Sequence, residues 1–464
     1  MNWQTIAQNH DLNISTINLS EIEGAFRLDA DYYQQKFYNI ITKIKSKKYD
    51  TLSNLVSNKT KKFDKKESGY FNYLEISNIN TTTGGYKFEL LPIEEAPSRA
   101  QKKLNKNDVV ISTVRPNRNA VAIIEDEKDK MIASSGFCVL KSKNINPYFL
   151  FTFFKTKPII DLLIRKTTAT MYPAVSEQDI LNLPIPLPSS FFEKEIEKII
   201  KNVKDFQEKA ELEYQEAEQS FIKEINLDGY ITKDNNISIR NLKECLNDNR
   251  FDAEYWQPKY DEIENKVSFI KQEKLEDMVS IKKGVETGSE AYSEEGNLFF
   301  RVSDFSIYGF DEGEKRISEE LYEKLKKNFK PLKEEILFTK DGTIGISFAL
   351  HEDVDAIISS AFLRLKPKTK INNDYLALAL NSSYCKAQIE RMSGGAIIAH
   401  LKPDNVIKIK IPILTDEKQE NIAHKVSNAF RLRNEAKNML EKAKKTVELF
   451  IEQDEEEALK YLKS

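Results

Sequence analysis

Apolar residues recur at alternating spacings of three and four in two long stretches of the chain. The first stripe runs through Ile196, Ile199, Val203, Phe206, Ala210, Tyr214, Ala217 and Phe221. The second runs through Ile422, Val426, Ala429, Leu432, Ala436, Leu440, Ala443, Val447 and Phe450. This spacing is the seam of a helix that packs on another helix. Charged residues crowd both flanks of each narrow stripe. The expectation is two long helices that lie outside any globular core and pair as a coiled coil, antiparallel if a two-fold axis relates them. Pro184, Pro186 and Pro188 exclude helix just before the first. Ser190 with Glu193, and Asp416 with Gln419, have the spacing of capping boxes, which satisfy the open N–H groups of a first turn.

Ahead of each long helix, short runs rich in Val, Ile and aromatics alternate with Gly, Asn and Pro, which predicts strands. In the first half these are residues 73–79, 108–114, 120–124 and 137–140. In the second they are 336–339, 344–350 and 361–365. A helix over 148–164 or 375–392 follows, then a closing strand over 183–187 or 407–414.

The two halves repeat. Arg27-Leu-Asp-Ala-Asp-Tyr-Tyr33 returns as Arg250-Phe-Asp-Ala-Glu-Tyr-Trp256, an offset of 223 residues. Ile14 to Leu19 returns as Ile237 to Leu242 at the same offset. Ser134-Ser135 matches Ser359-Ser360 at 225, and Ile185-Pro186 matches Ile411-Pro412 at 226. A drift of three residues over most of the chain implies one fold used twice. The residues between the anchors differ far more, as expected of two modules with one shape and different ligands. In the Arg-x-Asp-Ala-x-Tyr-aromatic box, Arg and Asp are expected to pair and the aromatics to anchor the module's first helix.

Composition adds little to that frame but excludes several classes. No apolar run approaches a membrane span, and residues 1–20 are polar, so a cytoplasmic protein is expected. Cys138, Cys245 and Cys385 are scattered and form no C-x-x-C pair, and the four histidines lie far apart; neither set reads as a metal site. Net charge is −3, yet the charge is segregated. Residues 43–66 hold nine Lys against two Asp, residues 99–118 hold six basic groups against Asp108, and residues 324–333 hold five Lys and no acid. Residues 193–224 are acidic, with ten acids against six Lys. A lysine run is either a solvated face or a surface for phosphates. Recurrence in both halves favours phosphates, through Lys59, Lys61, Lys62, Lys282 and Lys283.

Signatures of catalysis are missing. There is no P-loop, no G-x-S-x-G elbow and no Pro-Pro pair of the kind an amino-methyltransferase site uses. Two loops suit binding instead. Asp341-Gly-Thr-Ile-Gly345 follows Thr339-Lys340 between two predicted strands, where glycines let backbone approach a ligand or simply turn; Lys340 and Thr343 are its candidate contacts. The matching first-half loop is Thr113-Val-Arg-Pro-Asn-Arg-Asn119. Arg115 and Arg118 can bond guanine bidentately, and Asn117 and Asn119 can bond adenine. Phosphate contact or plain surface are the other readings of that loop. Residues 167–170 and 393–395 are small-residue loops at matching places.

With these features the sequence resembles the specificity subunits of type I restriction–modification systems. The Arg250 to Trp256 box, the Thr339 to Gly345 loop and the Ile-Pro-Ile413 strand entering Glu417-Lys-Gln419 carry the likeness, together with the duplication. The resemblance implies an α+β fold: two tandem mixed α/β target-recognition domains, pseudo-two-fold symmetric, separated by an antiparallel two-helix coiled coil. The expected divisions are 1–188 and 228–413 for the domains, 189–227 and 414–464 for the spacer helices. It implies further that each half reads one part of a bipartite double-stranded DNA target. The helices would recruit methyltransferase subunits, two of them, with restriction subunits joining through the complex. S-adenosylmethionine, ATP and Mg²⁺ would belong to those partners, leaving this chain without cofactor or catalytic site. Thirty-five residues of helix at ~1.5 Å each would set the gap between half-sites. The first half departs from the family pattern where Arg-Pro-Asn-Arg replaces Asp-Gly-Thr-Ile-Gly and where Phe191 to Lys194 lacks a Gln. A coiled-coil adaptor that binds only proteins, and a nuclease or methyltransferase with unfamiliar motifs, are the competing classes.

Overall fold

The computed structural model describes residues 29–58, 61–65, 68–167, 172–231, 237–311, 313–393 and 400–464. The chain divides into two compact units. One comprises Met1–Phe206 with Asn434–Ser464, the other Gln207–Arg433.

In the first unit, β6 (Val109–Ser112) lies between β9 (Phe137–Ser142) and β7 (Val121–Ile123), antiparallel to both, with β2 (Val56–Ser57) beyond β9. All four residues of β6 are buried. Val109 and Ile111 join the core under the helices, while Val110 faces a second apolar cluster. Burial on both faces explains why Val-Val-Ile shows no alternation with polar residues. The second sheet orders β4 (Glu89–Pro92), β3 (Tyr70–Leu74), β8 (Met131–Ser134) and β5 (Ala100–Lys103), with β3 and β8 parallel. A closing ladder pairs β1 (Tyr49–Thr51) with β10 (Pro184–Pro186).

The second unit repeats the plan. β12 (Val279–Lys283), β21 (Phe362–Pro367), β18 (Ile336–Thr339) and β19 (Ser347–Ala349) form one sheet. β13 (Tyr292–Ser293), β17 (Arg316–Ile317), β14 (Asn297–Phe300) and β20 (Ala356–Ile358) form the other, with β14 and β20 parallel. β11 (Gln272–Lys274) pairs with β22 (Lys410–Pro412). The strands missed in the sequence, β4, β5, β8 and β20 among them, are short and lack a clear period.

Each expected single helix after the sheets is two. In the first unit α2 (Pro147–Lys155) and α3 (Lys157–Arg165) meet at Thr156; in the second α7 (Asn373–Asn381) and α8 (Ser383–Ser393) meet at Ser382. Both junction residues are extended, and each hydroxyl donates to the carbonyl three residues back, Thr156 to Phe153 at 2.7 Å and Ser382 to Ala379 at 2.6 Å. The hydroxyl takes a carbonyl that the next turn of helix would have used. Asn146 and Asn372 cap the pairs identically, each side-chain oxygen accepting two backbone N–H groups.

The long helices α4 (Ser190–Glu224) and α9 (Asp416–Glu452) run antiparallel within each unit. In the first unit the Phe192 and Phe450 rings lie 5.0 Å apart. In the second, Lys418 pairs with Glu224 at 2.6 Å and Asn428 donates to Glu213 at 2.8 Å. The second stripe is buried throughout. The helices are not, however, separate from the globular cores. Phe192, Ile196, Leu440 and Val447 share one cluster with Phe149, Phe153 and Ile185. Aromatics of α2 reach the seam, Phe149 touching both Phe192 and Phe450. The caps also fall one residue earlier than expected. Phe192 N–H donates to Ser189 Oγ at 3.2 Å, and Glu193 accepts from Asn146 N–H at 2.8 Å instead of folding back. Gln419 likewise reaches the Leu414 carbonyl at 2.9 Å. Beyond α9 the chain turns at Asp454, which caps a further helix, α10 (Glu455–Lys463).

In the Arg-x-Asp-Ala box of the second unit the expected ion pair is present, Arg250 with Asp252 at 2.5 Å, while the aromatic Tyr255 meets α8, whose Arg391 lies over its ring at 4.5 Å. Arg165 of α3 does the same over Tyr32 at 4.3 Å in the first. Arg27 lies outside the described residues, and Asp29 caps the turn at Tyr32.

Candidate nucleic-acid interface

The loop between β6 and β7 is closed by backbone. Ser112 N–H donates to Ala120 O at 2.9 Å and Thr113 N–H to Gly136 O at 2.8 Å. The matching loop between β18 and β19 is closed the same way, Thr339 N–H to Ile346 O at 3.0 Å and Lys340 N–H to Ala361 O at 2.8 Å. Each loop is also pinned to the segment after the short helices. Val114 bridges to Ala174 and Asp341 to His400. Arg115 N–H donates to Pro173 O at 2.7 Å, and Leu401 N–H to Lys340 O at 2.8 Å.

Within this shared frame two positions are left-handed in both units. Arg115 has φ 49° and Asn119 φ 51°; Gly342 has φ 73° and Gly345 φ 81°. The second loop uses the residue that adopts this region without strain, and the first uses residues that pay for it. At Gly345 a Cβ would also lie 2.9 Å from the Ile389 side chain.

The expected contact residues separate into two kinds. Asn117 and Arg118 are exposed on the 3-10 turn Pro116–Arg118, and Arg115 is half-buried. Asn119 points inward: its Oδ1 is buried, and its carbonyl accepts from the Lys155 ammonium at 3.1 Å. Lys155, a buried side chain that sequence reading passed over, also donates to Thr81 O at 2.6 Å. Thr343 is exposed at the second loop's tip, but Lys340 is buried and pairs with Asp341, which also binds His400. Lys340 is thus a clasp inside the loop. His400, given no role from sequence, completes it.

Lys61 and Lys62 are exposed on a strap along β5, with Lys103 N–H donating to Lys61 O at 3.1 Å. Lys59 lies outside the described residues. Lys282 and Lys283 are exposed on β12, an edge strand. After them Gly284 N–H donates to Phe362 O at 3.1 Å, so Lys283 and Lys340 flank the same turn at 359–361. Of the small-residue loops at 167–170 and 393–395, residues 168–170 and 394–395 lie outside the described residues.

The charge runs read differently in three dimensions. On α6 (Glu319–Phe329) and just after it, Lys324, Lys326 and Lys330 pair with Glu320 at 2.6 Å, Glu323 at 2.5 Å and Asp355 at 2.9 Å. The lysine run of 324–333 is largely neutralised by acids outside it. Lys43 and Lys45 sit in the last turn of α1 (Gln35–Lys45), where cations favour the helix end.

Burial raises the thiols of Cys138 and Cys385 to about 12, so neither is a nucleophile at neutral pH. Among the described residues, no three or more His, Cys, Asp or Glu side chains are placed to hold a metal ion. Among them, no helix is long and apolar enough to cross a membrane.

The family model for the type I restriction modification DNA specificity domain matches residues 43–219 and again 267–443. The chain belongs to that family. Both matches begin ahead of the first sheet and end within a long helix, so domain and helix recur together. Two solved structures are similar to the chain over most of their length. The HsdS subunit from Thermoanaerobacter tengcongensis is 19% identical, with 88% of this chain and 97% of that one covered and a TM-score of 0.33. The type I restriction–modification S subunit from M. genitalium is 16% identical, with 89% and 95% covered and a TM-score of 0.34. No curated protein matches the chain.

Proposed function

We propose that this chain is the DNA-sequence-specificity subunit of a type I restriction–modification complex. Each unit reads one part of a bipartite double-stranded target, and the helices recruit the methyltransferase subunits, two per chain. Restriction subunits join through the complex. S-adenosylmethionine, ATP and Mg²⁺ are bound by those partners, and this chain contributes no catalytic group. One observation carries the reading. Two units close the same strand–loop–strand tip with the same backbone hydrogen bonds and fill it with different side chains. A frame that is kept while its tip changes is what two readers of different sequences require.

In this reading Arg115, Asn117 and Arg118 address bases in one half-site, and Lys61 and Lys62 address phosphates. Thr343, Lys282 and Lys283 serve the other half-site, while Asn119 and Lys340 hold the loops. The test is methylation profiling in cells that express this chain with its methyltransferase subunits. Exchanging residues 28–188 for the same module of a relative should change one half of the methylated motif and leave the other. A change in both halves, or no defined motif at all, would overturn the proposal.

A further inference from the structure

We infer that Tyr172 is a specificity-determining residue of the first unit that acts by positioning Arg115; the inference rests on the base-reading role proposed above. Tyr172 is 66% exposed, so its ring serves no core. It lies 5.3 Å from the Arg115 guanidinium carbon, within cation–π range. The next residue holds the other end of the same arginine, through Arg115 N–H to Pro173 O at 2.7 Å. Residues 172 and 173 therefore grip Arg115 by its side chain and its backbone.

That grip explains an otherwise unfavourable choice. Arg115 adopts left-handed backbone at the point where the second unit places Gly342. A side chain at such a position crowds its own backbone, so a non-glycine residue is strained there. Strain of this kind persists where surrounding contacts over-determine it, and it concentrates at functional positions. The bridge from Val114 to Ala174, the Pro173 hydrogen bond and the Tyr172 ring supply the contacts. Stacking engages the flat face of a guanidinium and leaves the in-plane N–H fork for a guanine edge. A long side chain with many rotamers is thereby reduced to a few before DNA arrives, which lowers the ordering cost of binding. Gly342 has no side chain to hold, so the device exists in one unit only.

The experiment uses the full chain assembled with its methyltransferase subunits and a substrate pool randomised at each target position. Methylation rates are compared for wild type, Tyr172→Leu, Tyr172→Phe, Arg115→Ala and the double variant Arg115→Ala/Tyr172→Leu. Tyr172→Leu should lower discrimination roughly two- to five-fold, at the one position that Arg115→Ala relaxes more strongly. Tyr172→Phe, which keeps the ring, should restore the wild-type preference. The double variant should match Arg115→Ala. The other half of the motif should stay unchanged in every variant, which also reports intact assembly. Additive losses, or an effect at a different position, would show that Tyr172 acts on its own and overturn the inference. If Arg115→Ala relaxes a base and Tyr172→Leu does not, the inference fails while the loop's role stands. If neither changes specificity, the base-reading assignment of this loop fails with it.

Discussion

Glycine and its replacements set the local limits of each loop. Gly284 ends the edge strand after Lys283, and a Cβ there would meet Ser359 O at 2.1 Å, a backbone atom that cannot turn aside. Gly342 is open, its nearest neighbour being a Val302 methyl at 3.9 Å, but its φ is 73°. Gly284→Ala should therefore destabilise by ~1–3 kcal/mol through crowding, and Gly342→Ala by about 1 kcal/mol through strain alone. Denaturant unfolding of the two variants checks the order, and Gly342→Ala as the more damaging would contradict it. At His351 the decisive group is Asp374, 3.1 Å away. Its carboxylate, within ion-pair distance, raises the imidazole above the ordinary value of 6.5, against the opposing effect of burial. The pair's stabilisation is fully present below pH 6.5 and is lost as pH rises through the raised folded value. An NMR titration of His351 should give a midpoint above 6.5 that falls in Asp374→Asn. The side chain is half-exposed, so solvent screens most of the effect on stability.

At the scale of elements, aromatics close the part of the α4–α9 seam that lies in the first unit. Phe192 is fully buried between Phe149 and Phe450. Phe192→Ala should cost ~3–5 kcal/mol, read as a drop in unfolding midpoint; a loss below about 1 kcal/mol would mean that the end of the seam frays. Phe192 was not among the stripe residues expected from sequence, although it lies four residues before Ile196 and continues the same spacing; it packs on α2 as well as on α9. The long helices were legible because an apolar repeat of about 3.5 residues, sustained along the whole stretch, suits neither a strand nor a loop. Strand β18 was legible in full, since Ile336 to Thr339 is apolar and bounded by charge. The breaks at Thr156 and Ser382 were not, because apolar periodicity continues across them and the interruption lies in one hydroxyl. Of the site, the exposed tip residues Asn117, Arg118 and Thr343 could be read from residue type. The clasps formed by Lys155 with Asn119 and by Lys340 with Asp341 and His400 could not, because their partners lie 36 and 59 residues apart.

For the molecule as a whole, the two units differ in how the chain builds them. Residues 207–433 form one unit as a single continuous segment, whereas the other joins residues 1–206 to residues 434–464. The first unit's core includes Ala436, Leu440, Ala443, Val447 and Phe450 beside Phe192, Ile196 and Val203. A chain ending at Arg433 should keep the second unit folded and lose the first. Limited proteolysis would then protect residues from 207 to 433 alone; equal protection of both would refute this. The consequence reaches into synthesis. The segment made first cannot finish folding until the last of these residues leaves the ribosome, so it waits with an aromatic seam uncovered while 227 residues are translated. At ~5–20 residues per second that delay lasts roughly ten seconds or more. During that interval the half-built unit offers its seam to chaperones, to aggregation, or to the matching helix of another nascent chain.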